Sequence, residues 1–107
     1  MWKPFDNGST LGLKGSESGE TTRDEEHVQG ARITLEKNGN IAPFAITCGI
    51  YGWMVHTRFF VTEDEAVAEY DKMKASLSEI VEWFSDPNCD DRRATEKAME
   101  AFVETYP

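Results

Sequence analysis

Two cysteines, Cys48 and Cys89, are too few for a disulfide framework, and without a CxxC spacing the chain offers neither a zinc ribbon nor a dithiol redox centre. Positive charge is also scarce. Lys and Arg number 11 against 20 Asp and Glu, for a net charge of −9, which argues against nucleic acid and anionic membrane surfaces as partners. Long hydrophobic runs are missing as well. The longest mostly apolar stretch, 41–61, is broken by Pro43, Gly49, Gly52, His56 and Arg58, so no membrane span is expected. Met1-Trp2-Lys3-Pro4-Phe5 leads into polar, glycine-rich sequence, unlike a secretory signal, and a cytoplasmic location is the expectation. Catalytic signatures are equally lacking. There is no GxGxxG, P-loop, HExxH or EF-hand loop, and Gly15-Ser16-Glu17-Ser18-Gly19 carries Glu where a nucleophile elbow needs serine. No cofactor is expected.

Apolar side chains are few, with only 21 Leu, Ile, Val and Phe among 107 residues, although the twelve aromatics (three Trp, three Tyr, six Phe) compensate in area. Charge is partitioned along the chain. Residues 1–29 carry three cations and six anions, 30–61 three and one, and 62–107 five and thirteen. Between Asp6 and His27 the only large apolar residues are Leu11 and Leu13, and four of the eight glycines fall there. Such composition buries too little area to offset ordering entropy, so residues 1–27 read as a loose polar N-terminal arm, with Glu20 to His27 as a weak edge strand. Residues 28–107 read as a single α+β domain.

Ala31, Ile33 and Leu35 alternate with Arg32, Thr34 and Glu36, the period of a half-buried strand. Asn38-Gly39 suits a two-residue hairpin, and Gly49-Ile50-Tyr51-Gly52 a four-residue turn between strands at 42–48 and 53–61. That register pairs Ile33 with Phe44, Ile46 with Val55 and Cys48 with Trp53. It puts Trp53, Val55 and Phe59 in the core and Arg32, Thr34, Ala45, His56 and Arg58 on the other face. Thr62-Glu63-Asp64-Glu65 is a capping box. It opens a long helix with an apolar line through Ala66, Tyr70, Met73, Leu77, Ile80 and Phe84, stopped by Asp86-Pro87. After a loop at 88–91, Asp90 or Asp91 caps a second helix to about Thr105, with Ala94, Ala98, Met99 and Phe102 facing inward. The expected fold is α+β: an antiparallel meander of three strands, with Glu20–His27 as a candidate fourth, and two C-terminal helices packed on one face.

Few residues are left for chemistry. The register separates Cys48 from His56, so a thiol–imidazole pair is not expected, and the acidic loop around Cys89 disfavours its thiolate. Asp24-Glu25-Glu26-His27 has ligand chemistry, but neighbours in an extended segment point to alternate sides, and no metal site is assigned. Arg32, His56, Arg58 and Thr34 gather on one face as a candidate anion site. The helix stripe is longer than a three-stranded sheet, which makes Tyr70, Met73, Leu77 and Trp83 a candidate homodimer interface. The sequence therefore points to a non-enzymatic, acidic, homodimeric interaction module with a basic protein partner. The alternative is a small-molecule or anion-binding domain using the Arg32/His56/Arg58 face.

Overall fold

The computed structural model describes residues 1–84 and 92–107. The expected helix stop at Asp86-Pro87, the loop with Cys89, the cap at Asp90 or Asp91 and the side chain of Phe84 lie outside the described residues. Five strands follow in order, β1 (Trp2–Pro4), β2 (Glu20–His27), β3 (Ala31–Lys37), β4 (Phe44–Ile50) and β5 (Met54–Phe60). Then come α1 (Glu63–Phe84) and α2 (Arg92–Thr105). The strands form one antiparallel sheet in chain order, so the α+β class holds with a five-stranded meander where three or four strands are expected.

The N-terminal 27 residues supply both additional strands. β2 is an inner strand rather than an edge, flanked by β1 and β3. The connection between β1 and β2 is organised by a charge in β3. Glu36 is buried, and its carboxylate accepts backbone N–H bonds from Gly19 at 2.8 Å and Glu17 at 3.1 Å. Gly15 and Gly19 are small for this reason: a Cβ on Gly15 would lie 2.7 Å from Glu36 Oε2, and one on Gly19 would lie 2.6 Å from the Lys37 carbonyl. Glycines that read as a sign of looseness in fact let backbone donors approach a carboxylate.

Both hairpin registers differ from the sequence expectation, with unequal consequences. The β3–β4 loop spans six residues, closed by Asn38 N–H to Pro43 O, and Ile33 faces Cys48 instead of Phe44. That is a slip of four positions, an even number, so Ala31, Ile33, Leu35, Ile46 and Cys48 keep their face. The next turn is Tyr51-Gly52-Trp53, with Gly52 at positive φ, and Cys48 faces His56 instead of Trp53. A slip of three positions inverts β5. Met54, His56, Arg58 and Phe60 turn toward the helices, while Val55 is 80% exposed and Phe59 41%.

Helix α1 starts with one half of the expected capping box: Glu65 N–H donates to Thr62 Oγ1 at 3.3 Å, while among the described residues the Glu65 carboxylate makes no return bond to the Thr62 N–H. Ala66, Tyr70, Met73, Leu77 and Val81 are fully buried against Ala31, Ile33, Leu35, Ile46, Cys48, Ile50 and Phe60. Val81 takes the place expected of Ile80, which is only half-buried. The helix also reaches the first two strands. Trp2 Nε1 donates to Ser78 Oγ at 2.5 Å, and Tyr70 and Lys74 donate to the two Glu25 oxygens at 2.9 and 2.5 Å. α2 lies beside α1, burying Thr95, Met99 and Phe102. The sheet is thus wide enough to cover the stripe within one chain. Tyr70, Met73 and Leu77 are fully buried and present no interface, and of the four residues assigned to one only Trp83, at 42% exposure, reaches the surface.

Burial alone would raise the Glu25 carboxyl, but hydrogen bonds from Lys74 and Tyr70, with the charges of Lys74 and Arg23, outweigh it and hold it below its ordinary 4.5. The hydrogen bond from Arg58, then that from Lys72, lowers Glu69 likewise. A carboxyl lowered in the folded state contributes stability that is complete above the unfolded value and is lost as pH falls through the folded one. Denaturant titrations should therefore show stability declining as pH drops below 4.5, and Glu25→Gln should make that decline shallower. An identical slope in the variant would contradict this assignment.

Candidate functional site

The sheet face away from the helices carries a groove of about 730 Å³. Its floor is read directly from the registers. One cross-strand row runs Asp24, Thr34, Thr47, Thr57, and the next runs Glu26, Arg32, Gly49, Val55. A bulge in β2 between Thr21 and Arg23 turns Thr21 and Asp24 to this same face, three residues apart. The hairpin through Leu13, Lys14, Gly15 and Ser16, pinned by Glu36, forms one wall, and the turn at Tyr51-Gly52-Trp53 forms another. Gly49 keeps the floor open, since a Cβ there would meet the Met54 carbonyl at 2.9 Å.

Most polar groups in the groove are matched to one another. Thr34 donates to the Thr47 carbonyl, and the Thr47 hydroxyl is 3.3 Å from those of Ser16 and Thr57. Asp24 is buried and bound bidentately by Arg32, from Nε at 2.9 Å and Nη2 at 2.7 Å, and it accepts a third bond from Thr10. Arg32 also stacks on Phe5, 3.5 Å from the ring centre, and the hydrogen bond from its guanidinium to Asp24 holds its pKa above the ordinary value. Its Nη1 has no hydrogen-bond acceptor among the described residues. Lys14 adds a second cation at the exposed wall. Leu13 and Val55 supply apolar surface, and Trp53 lines the turn wall while its ring packs against the core with the Arg92 guanidinium 5.0 Å from its centre.

The four residues expected to form an anion site are not brought together. Arg32 and Thr34 line the groove, whereas His56 and Arg58 lie on the helix-facing side because β5 is inverted. There His56 Nε2 meets the Tyr106 carbonyl, while Arg58 donates to Glu69 Oε1 at 2.9 Å and to the Pro107 carbonyl at 3.3 Å. These two side chains tie the chain end to β5. The small residue expected beside Arg32, Ala45, is replaced in that role by Gly49. Sequence reasoning missed the Asp24–Arg32 pair and the Glu36 cradle, because their partners come from separate segments with no shared spacing.

A thiol nucleophile has no support here. Cys48 is buried, and desolvation pushes its pKa up to about 12, so it stays a thiol at neutral pH. No group of three or more His, Cys, Asp or Glu suited to a metal ion occurs among the described residues. Asp24 lines the groove and Glu26 shares its sheet face, while Glu25 and His27 face α1, so the acidic run does not converge. Among the described residues no helix is long and apolar enough to cross a membrane. Comparison of the chain with models of protein families, with curated proteins and with solved structures finds no match. The class the structure defines is an α+β protein with helices on one sheet face and a groove on the other.

Proposed function

We propose that this protein is a non-enzymatic binding module whose open-face groove takes a small organic anion with an apolar body. The observation that carries the reading is the groove itself. Its volume of about 730 Å³ lies in the range of ligand sites, and its walls are mainly apolar, with the Arg32 guanidinium held by Asp24 and Lys14 on the exposed wall. Val55 and Leu13 suit an apolar body, and Lys14 and the outer edge of Arg32 suit a carboxylate or phosphate. Binding rather than catalysis is supported by the polar groups present. Asp24 has both oxygens engaged and the hydroxyls of Thr10, Thr34 and Thr47 bond within the protein, so none of these four is poised as a base or nucleophile.

Titration with aromatic carboxylates such as naphthoate, followed by amide chemical shifts, tests it. Shifts should concentrate at residues 13–16 and 47–55, and Lys14→Glu, on an exposed side chain, should weaken binding about ten-fold. Naphthoate and phenyl phosphate that move no amide in those two segments at millimolar concentration would overturn the reading.

A basic protein partner is the second reading, favoured by exposed Glu96, Glu100 and Glu104 at helical spacing along α2. It requires salt-sensitive binding of a cationic protein that Glu100→Lys together with Glu104→Lys abolishes. Binding insensitive to salt would exclude it.

A further inference from the structure

The two edges of the sheet are built differently. β1 has only three residues, including Lys3 and Pro4, and runs straight into a tight turn at Phe5–Gly8. Short length, lysine and proline are the usual protections of an edge against pairing with another strand. β5, the opposite edge, has none of them. It runs for seven residues, Met54–Phe60, without lysine or proline, and its single arginine is drawn toward the helices by Glu69 and the Pro107 carbonyl. Among the described residues, no backbone hydrogen bond reaches β5 from outside the sheet ladder. On its open face Val55 and Phe59 are exposed, and Val61 just beyond the strand is exposed too.

The sequence of that strand is complementary to itself. Thr57 lies midway between Val55 and Phe59, so an antiparallel pairing about a two-fold axis at Thr57 sets Val55 against the partner's Phe59 and Phe59 against the partner's Val55. An aromatic opposite a β-branched side chain is a favourable cross-strand pair. On the helix-facing side the same pairing sets Arg58 beside the partner's His56, and the Arg58 charge is already matched by Glu69, so no unpaired charge enters the seam. We infer that two copies of this chain associate through β5, edge to edge about Thr57, into one continuous ten-stranded sheet, two copies of the five strands seen here. This relocates the expected homodimer from the α1 stripe to the unguarded edge. Val55 also lines the groove, so the partner's Phe59 would extend its apolar wall.

Sedimentation or light scattering at up to about 100 µM, well above the dissociation constant of a specific interface, should report twice the 12.1 kDa chain mass. Val55→Lys with Phe59→Lys brings like charges together across the axis and should raise the dissociation constant at least about ten-fold. Val55→Lys with Phe59→Glu places opposite charges across the same axis and should restore the dimer. In a Cys89→Ser background, Thr57→Cys should form an intermolecular disulfide on mild oxidation, because residues opposite each other in a sheet have Cα separations within bonding reach. Should either double variant fail to fold, the Thr57→Cys cross-link decides alone. A monomer at every concentration overturns the inference, as does a dimer that both double variants leave unchanged or that Thr57→Cys fails to cross-link.

Discussion

Replacing Tyr70 with alanine is expected to destabilise the fold by about 3–5 kcal/mol, the range for removing a fully buried aromatic side chain. Among the described residues Tyr70 is the largest fully buried side chain, set between α1 and the sheet. It also carries polar connections. Its hydroxyl donates to Glu25 Oε1 at 2.9 Å and lies 3.3 Å from the Ile33 carbonyl, and Arg23 stacks on its ring at 4.0 Å. Burial, with the Glu25 hydrogen bond, drives its pKa upward, so the hydroxyl remains a donor through the physiological range. Tyr70→Phe keeps the packing and removes the donor, and should cost about 1–2 kcal/mol, since Lys74 and Arg23 still serve Glu25. Urea unfolding of both variants separates packing from hydrogen bonding. A Tyr70→Phe loss equal to that of Tyr70→Ala would show that the polar network, not the ring, supports α1 on the sheet.

Glu36→Ala is expected to cost about 3 kcal/mol, because two backbone donors lose a charged acceptor and charge-assisted bonds contribute about 1.5–3 kcal/mol each. For a domain of this size the melting temperature should fall by about 10–20 °C. The effect should also be local. Without its anchor the 13–19 hairpin loses the bonds that hold it against β3, so amide exchange at Glu17 and Gly19 should accelerate well before global unfolding. Glu36→Gln, which keeps one acceptor oxygen, should lose about half as much. Naphthoate binding should weaken in Glu36→Ala even at temperatures where the variant is folded, since that hairpin is a wall of the groove. Unchanged exchange at Glu17 and Gly19 would mean that their N–H groups are held by something other than the carboxylate.

Glu36 also shows what limits a reading of local pattern. In a strand of period two it occupies a polar position, and nothing nearby signals burial. Its donors lie 17 and 19 residues upstream, in a segment whose composition suggests disorder. Composition measures how much apolar area a segment can bury, yet this segment places backbone donors around one charge, a term that apolar area does not register. Asp24 and Arg32 behave alike. Each reads as a surface charge, and only the adjacency of β2 and β3 makes them a bidentate pair.

Local chemistry by itself determined the α+β class, the period-two strand β3, the Thr62 cap and the inward line of α1 from Ala66 to Leu77, because each rests on residue patterns that repeat within four positions. Tertiary structure alone decided which way β5 faces. The face of a strand depends on the parity of its register, and one turn residue more or fewer exchanges every side chain between core and solvent. The β3–β4 loop differs from expectation by an even step and leaves the core intact, whereas the β4–β5 turn differs by an odd step. That odd step sends His56 and Arg58 to the chain end, bares Val55 and Phe59 at an unguarded edge, and leaves Arg32 and Thr34 beside Gly49 in the groove.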